Sequence, residues 1–281
     1  MEIVHSYRND PVLRHSFNAL ARETFGLDFE PFYWGDAYNP YSVVEDGAVV
    51  ANVSVNEICG LLHGRRRRYI QLGTVMTANA CRGRGLSRML METVLRDFAG
   101  CDGFFLFAND TVLGFYPKFG FQPAQERRFF TEVRQDGACR AESVPMNTPK
   151  DWSRFLKEKN RRESCGVFQL DADGLLMFYL TGFMRENVYY LRPLDAYAIA
   201  GLDRGCLTLY DVFSPEPVAM ERVVRCFGAA VNRAVFAFTP QDQTGLTAYA
   251  HKQEDTSFFL RGNPLLEDMG SILSFPDLAH A

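Results

Sequence analysis

The sequence predicts an α/β (α+β) fold: a mixed, mostly antiparallel sheet flanked by helices, followed by a second α/β domain. Three observations carry this. Residues 41–45 and 48–58 flank Asp46-Gly47, and Asp-Gly tolerates the positive φ that a tight hairpin turn demands. The strand-like run 69–77 gives way to interleaved arginines and glycines, and a helical pattern follows at once. The order strand, helix, strand returns in the second half, so a degenerate copy of the first unit is one reading of the second.

Each element has its own signal. Residues 11–25 place Leu13, Phe17, Leu20, Ala21 and Phe25 at helical spacing, so an amphipathic helix precedes the hairpin. Arg65, Arg66, Arg67 and Arg68 read as the next turn, leading into the strand at 69–77. A helix then runs to about residue 98, and 103–108 is a buried strand rich in aromatics. A short helical segment at 110–118 and Phe119-Gly120-Phe121 lead to 129–134, read as the closing strand of this unit. The first domain accordingly spans 1–136, a small, polar linker 137–152, and the second domain 153–281. In that second domain 188–213 alternates strands with turns, 217–227 is a helix, and 233–239 and 271–275 are strands.

Composition narrows the function. A chain of 281 residues exceeds the ~250 at which single cores stop growing, which favours two domains. With 47% hydrophobic and 23% charged residues it is an ordinary globular chain. A formal net charge of -4 gives no electrostatic footprint for nucleic acid. The seven cysteines are scattered, with no CxxC pair and no metal-like spacing to the five histidines, so reduced thiols and no metal are expected. The N-terminus lacks the basic start and apolar core of a signal peptide, and no apolar run approaches ~20 residues. A soluble cytoplasmic protein, not bound to membrane, is the expectation.

The chemistry concentrates at residues 73–88, GTVMTANACRGRGLSR. A helix N-terminus offers unpaired N–H groups and the positive end of the helix dipole, and glycines there let a phosphate reach the backbone without meeting a Cβ. Two phosphate-binding patterns fail on spacing: G-x-x-x-x-G-K-S/T is absent, and Arg88 stands where a dinucleotide fingerprint needs its third glycine.

Strand, then Arg82-Gly83-Arg84-Gly85-Leu86-Ser87, then helix resembles the acyl-CoA signature Gln/Arg-x-x-Gly-x-Gly/Ala of the GNAT N-acetyltransferase superfamily, in its bacterial two-domain form. Ser87 departs from it, a small residue where glycine or alanine is usual. Asn109, followed seven positions later by Tyr116 and then by Gly120-Phe121, is similar to a second motif of that family. The resemblance covers roughly residues 1–136.

The resemblance implies transfer of an acetyl group from acetyl-CoA to a primary amine, on a small molecule or peptide, by direct attack. It implies that the backbone of Val75, Met76 and Thr77 pairs with the pantetheine arm, as an added strand pairs with a sheet edge. Arg82 opens the signature, and the N–H groups of Gly83, Arg84, Gly85, Leu86, Ser87 and Arg88 would cradle the pyrophosphate. Asn109 would hold the cofactor's inner arm, and Tyr116 would protonate the departing thiolate as general acid. Two positions where the family carries a glutamate base hold Gln71 and Phe104. No carboxylate is therefore assigned as base, and a CoA-binding sensor or pseudoenzyme is the alternative, with a nucleotide-binding oxidoreductase a distant third. In the second half Ser214-Pro215-Glu216-Pro217 replaces the glycine stretch, adding a carboxylate and two residues without N–H donors, so no CoA is expected there. That half would cover the first sheet or form a homodimer interface.

Other residues have two readings each. Glu57 could act as a base through water, but a rim salt bridge is the commoner fate of a charged strand residue, and His63 reads as an exposed turn residue. Asn52, Ser54 and Asn56 alternate with Val53 and Val55, giving a solvated face or a polar wall of the acceptor cleft. Phe32, Tyr33, Trp34, Tyr38 and Tyr41 pack onto the core or form an acceptor lid. The four arginines suit a solvated turn or an acidic substrate, and Met89 and Met91 suit the core.

Overall fold

The computed structural model describes residues 2–26, 29, 34–35, 37–134, 136–270 and 274–280. Strand β1 (Glu2–His5) precedes helix α1 (Pro11–Phe25). The Asp10 carboxylate accepts from the N–H groups of Val12 and Leu13 and starts the helix; Gly26, at φ 68°, ends it. Strands β2 (Tyr38–Glu45) and β3 (Ala48–Leu62) meet at Asp46 and Gly47, whose φ values of 51° and 77° fit the expected hairpin turn.

The next turn is shorter than the sequence suggested. His63 and Gly64, at φ 49° and 73°, supply both positive angles, so β4 (Arg65–Thr77) begins at the arginines. Residues 65–68 therefore continue the ladder, pairing from Leu62↔Arg65 to Cys59↔Arg68. Three of them meet acids of this chain: Arg66 with Asp171 at 2.7 Å, Arg67 with Asp268 at 2.8 Å and Arg68 with Glu57 at 2.8 Å. Glu57 is thus the rim salt bridge it was expected to be.

Helix α2 (Leu86–Asp97) sets Leu90, Met91 and Val94 against Val53, Val55, Ile70 and Leu72 on one face of the sheet. Helix α1 covers the other face, with Phe17, Leu20 and Ala21 against Tyr38, Val49 and Met76. Strand β5 (Gly103–Asn109) lies parallel to β4. Two 3₁₀ turns, Asp110–Val112 and Tyr116–Phe119, replace the single short helix expected, and β6 (Gln122–Ala124) follows.

Beyond β6 the chain changes sheets. It continues through β7 (Glu126–Glu132), β8 (Ala141–Ser143), α3 (Pro149–Lys159), β9 (Glu163–Ser164), β10 (Phe168–Leu170), α4 (Asp173–Thr181) and β11 (Val188–Leu191). Then come β12 (Ala196–Asp203), β13 (Cys206–Ser214), α5 (Met220–Arg225), β14 (Arg233–Phe236), β15 (Thr247–His251), β16 (Thr256–Arg261) and α6 (Asn263–Asp268). Residues 137–152, expected as a linker, hold β8 and the first turn of α3. Of the last strand expected at 271–275, three residues lie outside the described ones, and Ser274 and Phe275 are not in a strand.

The first sheet runs β1-β2-β3-β4-β5-β16-β6, with β10 beside β3. The second runs β8-β11-β12-β13-β14-β7-β15, with β9 beside β13. Position by position these agree: the first four strands are antiparallel, the fourth and fifth (β4 with β5, β13 with β14) are parallel, and the sixth is antiparallel to both neighbours. The second half is a copy of the first in its sheet arrangement. In each sheet the sixth strand comes from the other half. The strand expected to close the first unit, β7, therefore belongs to the second sheet, and β16 takes its place. Side-chain alternation marks a run as a strand without naming the edge it will pair with.

Glu126 stands where the chain crosses between sheets. It is 7% exposed, and burial, with Asp277 nearby, pushes its carboxyl up to about 7, opposed by Arg128. Arg128 is itself ion-paired with Asp277. The folded protein holds this proton more tightly than the unfolded chain, whose carboxyl titrates near 4.5. The stability contributed is full below pH 4.5, falls as pH rises, and is lost above pH 7. Glu126→Gln should therefore stabilise the protein by about 3 kcal/mol at pH 8 and by little at pH 4.5. Urea unfolding at the two pH values measures the difference; equal effects at both would remove the titration from the explanation.

All seven cysteines are free. Among the described residues no helix is long and apolar enough to cross a membrane.

Candidate active site

Strands β4 and β5 pair only from Tyr69↔Gly103 to Leu72↔Leu106. Past that point they separate, and residues 73–77 and 107–109 become opposite walls of a cleft of about 1050 Å³. The β4 wall is bulged. Asn52 pairs with Met76 and Ser54 with Gly73, so Thr74 and Val75 drop out of the ladder, and Thr74 sits at φ 47°.

A buried polar chain holds that bulge. The Asn52 Nδ2 donates to the Thr74 carbonyl at 2.9 Å and to Ser54 Oγ at 2.8 Å, while Asn52 Oδ1 accepts from Ser42 Oγ at 2.8 Å. Tyr7 joins Ser42 at 2.7 Å and Tyr38 joins Ser54 at 2.8 Å. Ser42, Asn52 and Ser54 have no exposed surface. The polar face of β3 is thus neither solvated nor an open cleft wall: helix α1 covers it, and hydrogen bonds make the burial of Asn52 and Ser54 tolerable, whereas the buried Asn56 Nδ2 has no partner among the described residues. Asn52→Ala would strand the Thr74 carbonyl and leave Ser42 with Tyr7, and Ser54 with Tyr38, as the remaining partner in the chain. It should cost about 3 kcal/mol in urea unfolding, against the few tenths expected of a surface change.

The glycines sit at the far end of the same wall. Gly83 and Gly85 have φ 77° and 78°, and a Cβ built on either meets nothing within 4 Å. Conformation demands glycine here, and the backbone stays open. Gly85 caps α2, so the N–H groups of the first helical turn border the cleft. Ser87 has a local reason: its Oγ lies 2.7 Å from Thr77 Oγ1 and ties the helix start to the end of β4.

Every expected site residue lines the cleft except Arg84. Its guanidinium turns back to Glu45, with contacts of 2.5 and 2.9 Å. Arg88 lies 3.9 Å from Glu92 and 5.8 Å from the centre of the Phe119 ring. Arg82, Arg88 and Lys118 are the charged residues among the described lining, and no carboxylate is among them. The wall suits a polyanion.

Tyr116 closes the opposite wall. It is 6% exposed, with ring centres of Phe115, Phe121 and Phe259 at 5.3, 6.3 and 5.9 Å. Burial pushes its phenol up to about 12, so it is protonated at neutral pH. Gln71 is buried and Phe104 is core, so neither replaces the missing base. Trp34 and Tyr38 pack on Phe17 at 5.2 and 6.3 Å, and Tyr41 meets Phe98 on the other face. Phe32 and Tyr33 lie outside the described residues. Sequence reasoning missed the bulge at Thr74, whose local signal is Gly73 inside the strand run, and Phe259, which arrives from the other half of the chain.

The second sheet has the matching divergence, after Leu209↔Phe236, but its gap is filled. Strand β9 pairs with the end of β13 (Phe213↔Ser164), and Gly166 bridges Pro240 on the other side. The Cys165 N–H donates to Val212 O at 2.8 Å, and its carbonyl accepts from Gln241 N at 2.9 Å. Ser164 Oγ anchors the insert on Asp211 at 2.7 Å, leaving a hollow of about 140 Å³.

The family model of the acetyltransferase (GNAT) domain matches residues 38–123, the segment that builds this cleft. The chain carries a GNAT domain. No curated protein matches the sequence. Solved structures share its fold over nearly the whole chain. A conserved protein of unknown function from Enterococcus faecalis V583 aligns with TM-score 0.59 at 13% identity, over 95% of this chain and 74% of that one. A GCN5-related N-acetyltransferase from Kribbella flavida gives 0.55 at 17%, over 94% and 72%. Eis1 from Mycobacterium abscessus gives 0.57 at 11%, over 92% and 73%. At these identities the likeness is one of fold. The GNAT domain itself supports acyl transfer as the general activity.

Proposed function

We propose that the protein transfers an acetyl group from acetyl-CoA to a primary amine by direct attack, using the cleft between β4 and β5. The observation that carries this is the shared cleft: an open glycine backbone at a helix start on one wall and a protonated tyrosine on the other. The residues fit a CoA thioester. The unpaired N–H groups at the start of α2 suit its pyrophosphate, and residues 73–77 present a strand edge freed by the splay.

When bound, acetyl-CoA supplies the activated acyl group. The chain supplies position and protons. The bulge at Thr74, fixed by Asn52, sets the shape of the wall beside Val75 and Met76, and Asn109 faces it from the end of β5. Tyr116 donates its proton toward the departing sulfur. With no carboxylate in the described lining, the amine loses its proton to water rather than to a side chain. The same absence favours the second reading, a CoA-binding protein without turnover. The filled gap in the second sheet supports a single CoA site per chain.

One experiment separates the readings. Acetyl-CoA should raise the melting temperature by mass action, and CoA release should follow addition of spermidine, an aminoglycoside, lysine or a short peptide with a free N-terminus. A thermal shift with no release above the amine-free rate for any of the four selects the sensor. No shift at all removes CoA from the cleft.

A further inference from the structure

The segment from Asn109 to Tyr116 belongs to the first half, yet β16 and the loop that leads into it from β15, both in the second half, hold both of its ends. At the start, Thr256 pairs with Asn109, Ser257 Oγ donates to Asp110 Oδ1 at 2.7 Å, and Lys252 Nζ reaches Asp110 Oδ2 at 2.8 Å. Asp255 Oδ1 accepts from the Asp110 N–H at 3.3 Å. At the other end stands Phe259, 3% exposed, against the Tyr116 ring.

That contact matters because no hydrogen bond to the described residues fixes the Tyr116 hydroxyl. Packing alone sets its place. Two of its ring partners are its near neighbours in the chain, Phe115 beside it and Phe121 just before β6. Phe259 is anchored elsewhere, in the middle of β16 between β5 and β6, where it pairs with Leu106 and Pro123.

We infer that β16 of the second half, with the loop that precedes it, positions Tyr116 for acid catalysis, with Phe259 setting the ring and Ser257 and Lys252 fixing the segment through Asp110. This rests on the reading of Tyr116 as the general acid. Phe259 and Ser257 are positioning residues, since they act only through Tyr116. A phenol aimed at a sulfur is sensitive to displacement, and shifts of ~1 Å can cost up to ~10²-fold in rate.

The test is a double-mutant cycle on turnover, read as CoA release from acetyl-CoA with the fastest of the four amines. Phe259→Leu should lower kcat about tenfold, leave KM for acetyl-CoA within about twofold, and keep the thermal shift that acetyl-CoA produces. In a Tyr116→Phe background the same change should have no further effect, because the hydroxyl it aims is gone. Ser257→Ala, at a more open site, should show the same pattern if Phe259→Leu fails to fold, and should speed amide hydrogen exchange across residues 110–116. An equal fall in both backgrounds, or unchanged kcat in folded Phe259→Leu and Ser257→Ala, overturns the positioning role while leaving Tyr116 as the acid. A Tyr116→Phe enzyme with wild-type kcat overturns both.

Discussion

Tyr116→Phe should lower turnover by about 10²-fold or more while acetyl-CoA affinity changes little. The substitution keeps the ring and with it the contacts to Phe115, Phe121 and Phe259, so packing is nearly unchanged. Removing the hydroxyl leaves no buried partner stranded among the described residues, which makes this an unusually clean deletion. What disappears is one donor, held protonated by burial, on the wall facing the glycine turn. A thiol's pKa is about 8.5, so a phenol raised to about 12 first stabilises the departing sulfur by hydrogen bonding and surrenders its proton late. Turnover with the best amine, measured beside a thermal shift, checks both halves of the claim. Near wild-type turnover would assign the residue to the core.

Gly85→Val should abolish the stabilisation by acetyl-CoA, which for the parent protein is about 2.7 kcal/mol at a hundred times Kd. Two effects combine. Valine at φ 78° is strained, because left-handed backbone costs an L-residue ~1–2 kcal/mol, and its branched side chain fills the open space beside the helix start. Gly47→Val separates these, since Gly47 has φ 77°, open space around it, and a place in the β2–β3 turn outside the cleft lining. The control should lose melting temperature and keep the acetyl-CoA shift; Gly85→Val should lose the shift. A folded Gly85→Val that retains it would take the pyrophosphate away from this turn.

Much of this architecture was legible because it depends on local chemistry. Asp10 and Gly26 bracket α1, Asp46 and Gly47 make the first hairpin, and the glycines before α2 announce an open backbone; each works within a few residues of itself. The arginine turn was misread because His63 carries no turn signal, although it adopts the positive φ that Gly64 also supplies. The alternation of Asn52, Ser54 and Asn56 was visible, but a face turned to water and a buried polar face produce the same pattern. Which it is depends on α1 lying over it. The identity of the sixth strand in each sheet was the least legible feature. Residues 126–132 and 256–261 are both short strands centred on a Phe-Phe pair, and either could pair with either sheet on local grounds alone.

The exchange of strands also dictates an order of events on the ribosome. When β6 has emerged, the strand that must sit between it and β5 has not been made, and at ~5–20 residues per second the wait from Ala124 to Thr256 lasts roughly ten seconds. Through that interval the nascent chain carries an unpaired edge along residues 104–109, rich in phenylalanine, which is a template for pairing with other chains. Completion of the first sheet is therefore a late, long-range step, and a holding chaperone would find its substrate in this stretch of polypeptide.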